Sequence, residues 1–283
     1  MTLNNKWLLE FAADVTSQNG EDGIVAKILD VIGSPVGWCV EFGAWDGKHL
    51  SNTYDLITRR GFSAVLIEGS PKRFAQLRET FGSNSRVTAT NSVVGFSAAD
   101  GLDTILARTA IPDDFDVLSI DIDGNDYHVW AACRRYRPRL VVIEYNPTIA
   151  SSVDFVQEAD PRLNQGSSML ALTRLAREKG YELVSATLHN CFFVRAEFFP
   201  RFDVADNSVA AIRPDESLVT HVFNGMDGTV FVRGYGRLVW HGIPYRESRM
   251  QVIPRFLRGL PGAVGPIKGF FARHFRSLRK RGL

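Results

Sequence analysis

The chain has 283 residues, 45% hydrophobic and 23% charged, enough for one large globular domain or for one domain with an appended piece. Its formal net charge is only +2, which argues against a global field that would gather nucleic acid. Cys39, Cys133 and Cys191 are odd in number and form no CxxC, against a disulfide framework or zinc site and for buried apolar thiols in a reducing compartment.

No basic flank precedes a long apolar stretch at the N-terminus, and no run reaches about 18 apolar residues, so a cytoplasmic location is expected. In chain order, Ile24, Ile28, Leu29 and Ile32 recur at helical spacing and predict a first helix. The apolar run 38–42 then predicts a buried strand that breaks into Glu41-Phe42-Gly43-Ala44-Trp45-Asp46-Gly47, a glycine-bearing turn. Further buried strands are predicted at 64–67, 87–94, 117–122 and 140–145. Between them Phe74, Leu77 and Phe81 mark one helix; after them Leu170, Leu172, Leu175 and Ala176 mark another. This alternation predicts an α/β fold, a doubly wound and mostly parallel sheet. The runs 182–186 and 191–195, parted by a turn at His189 and Asn190, should form an antiparallel hairpin closing one edge.

After Phe198 the rhythm is lost. Residues 198–253, with strand-like pieces at 228–233 and 237–241, read as an accessory cap or oligomer-contact region following a domain over 1–197. Residues 254–283 carry Arg255, Arg258, Lys268, Arg273, Arg276, Arg279, Lys280 and Arg281 without an acid. There Ile267, Phe270, Phe271, Phe275 and Leu278 repeat at helical spacing between the cations, an amphipathic basic helix suited to an anionic membrane surface. A helix docked on its own domain, or on a dimer mate, is the other reading.

In an open α/β sheet ligands sit beyond the C-terminal ends of the strands. Those ends are acidic here: Glu41, Glu68 before Gly69-Ser70-Pro71, Asp121-Ile122-Asp123-Gly124, and Glu144-Tyr145-Asn146-Pro147. The Gly43-x-x-x-Gly47 spacing lacks the Gly-x-Gly-x-x-Gly of dinucleotide sites, and Glu41 would repel a pyrophosphate, so a cationic cofactor fits better. An acid ending the second strand can accept both ribose hydroxyl hydrogens of a nucleoside.

The ordered set Val40-Glu41-Phe42-Gly43-Ala44-Trp45-Asp46-Gly47, Leu66-Ile67-Glu68-Gly69-Ser70-Pro71, Leu102-Asp103-Thr104-Ile105-Leu106 and Leu118-Ser119-Ile120-Asp121-Ile122-Asp123-Gly124-Asn125-Asp126 resembles the FkbM-like branch of class I S-adenosylmethionine-dependent methyltransferases. Ser17-Gln18-Asn19-Gly20-Glu21-Asp22-Gly23 and Gly180-Tyr181-Glu182-Leu183-Val184 also look like features of that family. The resemblance implies a Rossmann-like domain that holds S-adenosylmethionine. It places Glu41 and Gly43 near the methionyl part, Glu68 on the ribose, Asn91 and Ser92 beside adenine, and Asp121 facing the methyl group. Gln18, Ala44, Asp46, Gly47, Gly69 and Ser70 complete the implied cofactor set. The family more often carries Asp-x-Glu-Gly where this chain has Asp121-Ile122-Asp123-Gly124.

Methyl transfer to a hydroxyl needs an aligned nucleophile and a base, for which Asp123, Asp126 and His128 are the candidates. Asp123 with Glu144 and Asn146 would offer Mg²⁺ hard oxygen ligands. The expected acceptor is a sugar hydroxyl of a glycan or glycolipid, with a small-molecule hydroxyl also open. A metal-dependent glycosyltransferase using Asp121-x-Asp123 on a nucleotide sugar, or a nicotinamide-dependent oxidoreductase, is the alternative. Peripheral association with the inner membrane face and a homo-oligomer are compatible with these readings.

Overall fold

A computed structural model describes residues 4–260 and 263–280; residues 261, 262 and 281–283, which fall within the expected basic tail, lie outside the described residues, as do residues 1–3 of the expected first domain. Two compact units result, Met1–Glu216 and Ser217–Leu283, with residues 198–216 in the first.

The first unit is built from short apolar runs that cannot bury both faces alone and so assemble into one sheet. A 3-10 turn at Trp7–Phe11 leads into α1 (Glu21–Ile32), β1 (Trp38–Phe42), α2 (Tyr54–Thr58), β2 (Ser63–Glu68), α3 (Pro71–Phe81) and β3 (Val87–Asn91). Then follow α4 (Leu102–Leu106), β4 (Val117–Ile120), α5 (Asp126–Ala132), β5 (Leu140–Glu144), α6 (Met169–Glu178), β6 (Tyr181–Ala186), β7 (Asn190–Arg195) and α7 (Val209–Ile212). Local chemistry fixes the ends. Ser70 Oγ accepts from Arg73 N ahead of Pro71 at the start of α3, Ser168 Oγ accepts from Ala171 N at α6, and Gly33 closes α1 in the left-handed region at φ 79°.

The seven strands run in the order β3-β2-β1-β4-β5-β7-β6. The first five are parallel, and β7 enters antiparallel between β5 and β6. This is the expected α/β, Rossmann-like, doubly wound sheet with an antiparallel hairpin at one side. Alternate strand residues separate two cores. Val40, Phe42, Leu118, Ile120, Val141 and Ile143 pack with α4, α5, α6 and α7, whereas Cys39, Ala64, Leu66, Val117 and Val142 pack with α1, α2 and α3. All three cysteines are free and buried.

Some expectations needed correction. The strands predicted to reach Val94, Ile122 and Tyr145 stop at Asn91, Ile120 and Glu144, because the backbone beyond them turns into the loops of the site. Nor is β3 buried: it is an edge strand, and its threonines lie half-exposed or exposed.

In the second unit β8 (Thr220–Asn224) pairs antiparallel with β9 (Val230–Gly234) around Gly228, whose φ is 87°. The piece predicted at 237–241 forms no strand, only a bridge between Arg237 and Pro244. The final helix, α8 (Pro266–Lys280), forms as its apolar spacing predicts. A groove of 390 Å³ within this unit is lined by Ile253, Leu257, Leu260, Ala272 and Phe275 among others.

Candidate functional site

Parallel pairing carries the acidic strand ends to one edge of the sheet. Register places Glu68 opposite Asn91, Phe42 opposite both Ile67 and Ile120, and Ile120 opposite Ile143. Asn91, Glu68, Gly43, Asp121 and Glu144 therefore follow one another across five neighbouring strands.

Gly43 has φ 75°, and a Cβ there would lie 1.9 Å from the Asp121 carbonyl oxygen. The glycine lets the ends of β1 and β4 close on each other. Gly47, at φ 78°, faces Leu77 and Phe81 of α3, which a Cβ would meet at 2.6 and 2.9 Å. Protein atoms fill the space before both glycines, so both serve packing around the turn. Between them the Ala44 N–H donates to Ile67 O, and Asp46 Oδ1 accepts from Lys48 N and His49 N at 2.9 and 2.7 Å. Trp45 adopts φ 48°, unusual for a bulky residue, with the Arg73 guanidinium 3.6 Å from its ring centroid.

Glu68 fixes this turn. Its Oε2 accepts the Trp45 N–H at 2.9 Å and its Oε1 the Ser70 N–H at 2.6 Å, while its backbone oxygen accepts from Asn91 Nδ2 and Ser92 N. Gly69 lies against Val93. The carboxylate of Glu68 thus ties the β1 and β2 loops together, and its backbone carbonyl adds the β3 loop to the same rim. The Glu41 side chain leaves the same face of the sheet as Glu68 and is taken up by Ser51 Oγ, Asn52 N and Thr53 Oγ1, which donate to it at 2.6, 2.9 and 2.7 Å. Burial pushes its pKa up and those three hydrogen bonds oppose the rise. All three partners belong to the loop before α2.

The Asp121, Asp123 and Glu144 carboxylates each offer an oxygen, and these lie within 4.8 Å of one another. Desolvation together with Asp126, Asp123, Glu41 and Glu21 raises Asp121 to about 7; desolvation and Asp121 raise Glu144 to about 9. Asp123 is exposed and held at φ 58°. Among the described residues, no Lys, Arg or His makes an ion pair with Glu41, Glu68, Asp121, Asp123 or Glu144. The field at this edge is negative, with no paired counter-ion among the described residues.

The remaining candidates are engaged locally. Asp126 accepts Ile122 N and Gly124 N at 3.0 and 2.8 Å, so its two oxygens shape the turn after β4; burial raises its pKa. His128 Nε2 lies 2.8 Å from Gln157 O, and since a carbonyl only accepts, Nε2 carries the proton. Asn146 Oδ1 accepts from Thr148 N and Oγ1, and its Nδ2 donates to Gln165 O. Gln18 is exposed, and its N–H donates to Glu21 Oε2.

Several residues that order this edge are not among the site candidates that the sequence offers. Glu21, fully buried, accepts from Thr187 Oγ1 and Asn190 Nδ2, and Asp22 Oδ2 accepts the N–H groups of Val15, Thr16 and Ser17. Together they fold the segment before α1 against the sheet. The long loop between β5 and α6 is pinned by the buried Arg213, whose Nη1 donates to Ile149 O and Nη2 to Pro147 O, both at 2.6 Å. Gln157 Oε1 accepts from Gln165 N and Gly166 N, and Asn125 Nδ2 donates to Asp160 O and Leu163 O in the same loop. Glu21 and Asp22 stand inside the quoted upstream motif; Arg213 and Gln157 stand in none.

No family model matches the chain, and no curated protein matches it in sequence. Solved structures with which it shares low similarity include CalH, described as a trans-methyltransferase in complex with SAH, at 14% identity and TM-score 0.43 over 62% of this chain and 55% of that one. The N-terminal domain of EvdMO1, solved with SAH and D-fucose, matches at 13% identity and TM-score 0.38, covering 62% of this chain and 80% of that one. An O-methyltransferase family protein from Burkholderia thailandensis matches at 12% identity and TM-score 0.40, covering 61% of this chain and 55% of that one. The chain spans little more than half the length of CalH and of the Burkholderia protein.

Proposed function

We propose that the chain is an S-adenosylmethionine-dependent O-methyltransferase whose acceptor is a sugar hydroxyl of a glycan or glycolipid. The observation that carries this reading is the row of carboxylates along one sheet edge, Glu68, Asp121, Asp123 and Glu144, with no protein cation paired to them among the described residues. Such a field favours a ligand that is itself positive, and it opposes a nucleotide diphosphate or a dinucleotide pyrophosphate. Asp121, raised toward neutrality by burial and by Asp126 and Asp123, and Glu144, raised by burial and by Asp121, are the groups a cation would relieve.

When bound, the donor would supply a methyl carbon activated by a sulfonium centre. Glu68 would accept the ribose hydroxyl hydrogens while still holding Trp45 and Ser70, since each carboxylate oxygen has a second lone pair. Asn91 and Ser92, tied to the Glu68 carbonyl, would border the base. Asp123 would take the proton from the attacking hydroxyl, because it is exposed and is not committed to the turn as Asp126 is. The carbonyl partner of His128 and the turn partners of Asp126 leave those two in supporting roles. Asp121, Asp123 and Glu144 are also the oxygen donors that would hold Mg²⁺.

Calorimetry of the full chain against S-adenosylhomocysteine, a UDP-sugar and NAD tests the reading. Binding of the first alone is expected; binding of the second or third in its place would overturn it.

A further inference from the structure

The proposed chemistry draws on no residue beyond Glu216, yet Ser217–Leu283 differs sharply from the rest of the chain. It carries twelve Lys and Arg against two acids, a net of +10, which leaves −8 on Met1–Glu216. Both acids are engaged inside the unit. Asp227 accepts from Thr229 N and Oγ1, both at 2.9 Å, and Glu247 accepts from Arg233 Nη1 at 2.6 Å, the one ion pair among the described residues of this unit.

The final helix faces the wrong way for a water-soluble surface helix. Its small residues Gly269 and Ala272 join Phe275 in lining the groove of the unit, while its apolar stripe points outward. Ile267 is 76% exposed, Phe270 61%, Phe271 56% and Leu278 39%, and Phe270 meets Phe271 edge to face at 5.7 Å. Lys268, Arg273, Arg276 and Arg279 on the same helix are exposed, Arg273 and Arg276 on the side that borders the groove. Trp240, Ile243 and Phe256, elsewhere in the unit, are exposed as well. An outward apolar stripe on a helix whose other side carries cations without an ion-pair partner among the described residues is the arrangement of a helix lying in a bilayer interface.

We propose that Ser217–Leu283 is a membrane-binding module, in which the Ile267, Phe270, Phe271 and Leu278 face of α8 inserts among the lipids of an anionic bilayer. Charge complementarity selects that occupant: a neutral apolar partner would leave the cations without counter-charge, and an acidic polymer would leave the aliphatic stripe in water. Single-stranded nucleic acid stacks its bases on aromatic rings, but Ile267 and Leu278, which complete the stripe, offer no ring. The inference depends on the second unit alone and holds whether or not the first transfers methyl groups.

The test is sedimentation of the full chain with vesicles of phosphatidylcholine and of phosphatidylcholine with about one third phosphatidylglycerol. Pelleting is expected with the anionic vesicles and not with the neutral ones, and it should weaken as salt is raised. Phe270→Ser with Phe271→Ser, both at exposed positions, should reduce partitioning at least about tenfold. Arg273→Gln with Arg279→Gln should reduce it about fivefold for each cation removed. Circular dichroism checks that each variant keeps its fold, and either pair alone suffices. Equal pelleting on both vesicles, unchanged pelleting of the variants, or displacement from vesicles by single-stranded RNA would overturn the proposal.

Discussion

Glu68 and Asp123 sit at the same edge but in opposite circumstances, and substitution should separate them. Glu68→Gln keeps an acceptor for one of the two N–H groups it holds while removing the charge, so binding of S-adenosylhomocysteine should weaken at least about tenfold. Asp123→Ala touches no hydrogen bond of the rim and should leave that binding within about twofold while lowering turnover by about 10²-fold or more. Calorimetry and single-turnover kinetics read the two effects, and the reverse pattern would overturn the roles. Glu144→Gln tests the electrostatics. Asp121 and Glu144 rise from 3.8 and 4.5 to about 7 and about 9, so the folded state binds protons that the unfolded chain has released. Stability without ligand therefore falls as pH rises through that window. An amide in place of the Glu144 carboxyl cannot ionise, so the variant's melting temperature should exceed the parent's by about 3 °C near pH 9, an advantage that shrinks toward pH 5. A gap that stays constant with pH would refute the coupling. These acids were legible as strand ends because each follows an apolar run, but their partners were not. That Glu41 belongs to Ser51, Asn52 and Thr53, and Asp126 to Ile122 and Gly124, depends on which face and which turn the backbone presents.

At the scale of elements, strands were legible and loops were not. Buried parallel strands read as continuous apolar runs, so Trp38–Phe42 and Leu140–Glu144 could be placed almost to the residue. The β5–α6 loop has no period, and one of its anchors is a cation 64 residues away in sequence from Ile149, whose carbonyl it binds. Arg213 is buried and answers both Ile149 O and Pro147 O, so Arg213→Ala should cost about 2–3 kcal/mol and lower the melting temperature. Hydrogen exchange should quicken over residues 148–168 while β1, β4 and β5 keep their protection. Uniform exchange across the first unit would mean that Arg213 supports the fold at large. The β8 strand escaped notice for a different reason: Thr220–Asn224 is mostly exposed, so no apolar alternation marks it.

The whole molecule hides its charge in an average. A net of +2 suggests an ordinary surface, but it is the sum of an acidic unit and a basic one, and only the boundary at Glu216 separates them. Composition could locate the basic stretch after Pro254; it could not show that Arg233, Arg237, Arg246 and Arg249 belong with it. The sheet has a temporal implication of its own. Because β7 occupies the slot between β5 and β6, the outer side of β5 stays open until residues 190–195 have left the ribosome. Until then Leu140, Val141, Val142 and Ile143 form an unpaired apolar border, available to any other nascent chain. Ribosomes stalled when the chain has emerged only to residue 186 should therefore display a chain that proteases digest and chaperones hold, and stalling that lets the few residues of one more strand clear the exit tunnel should release it.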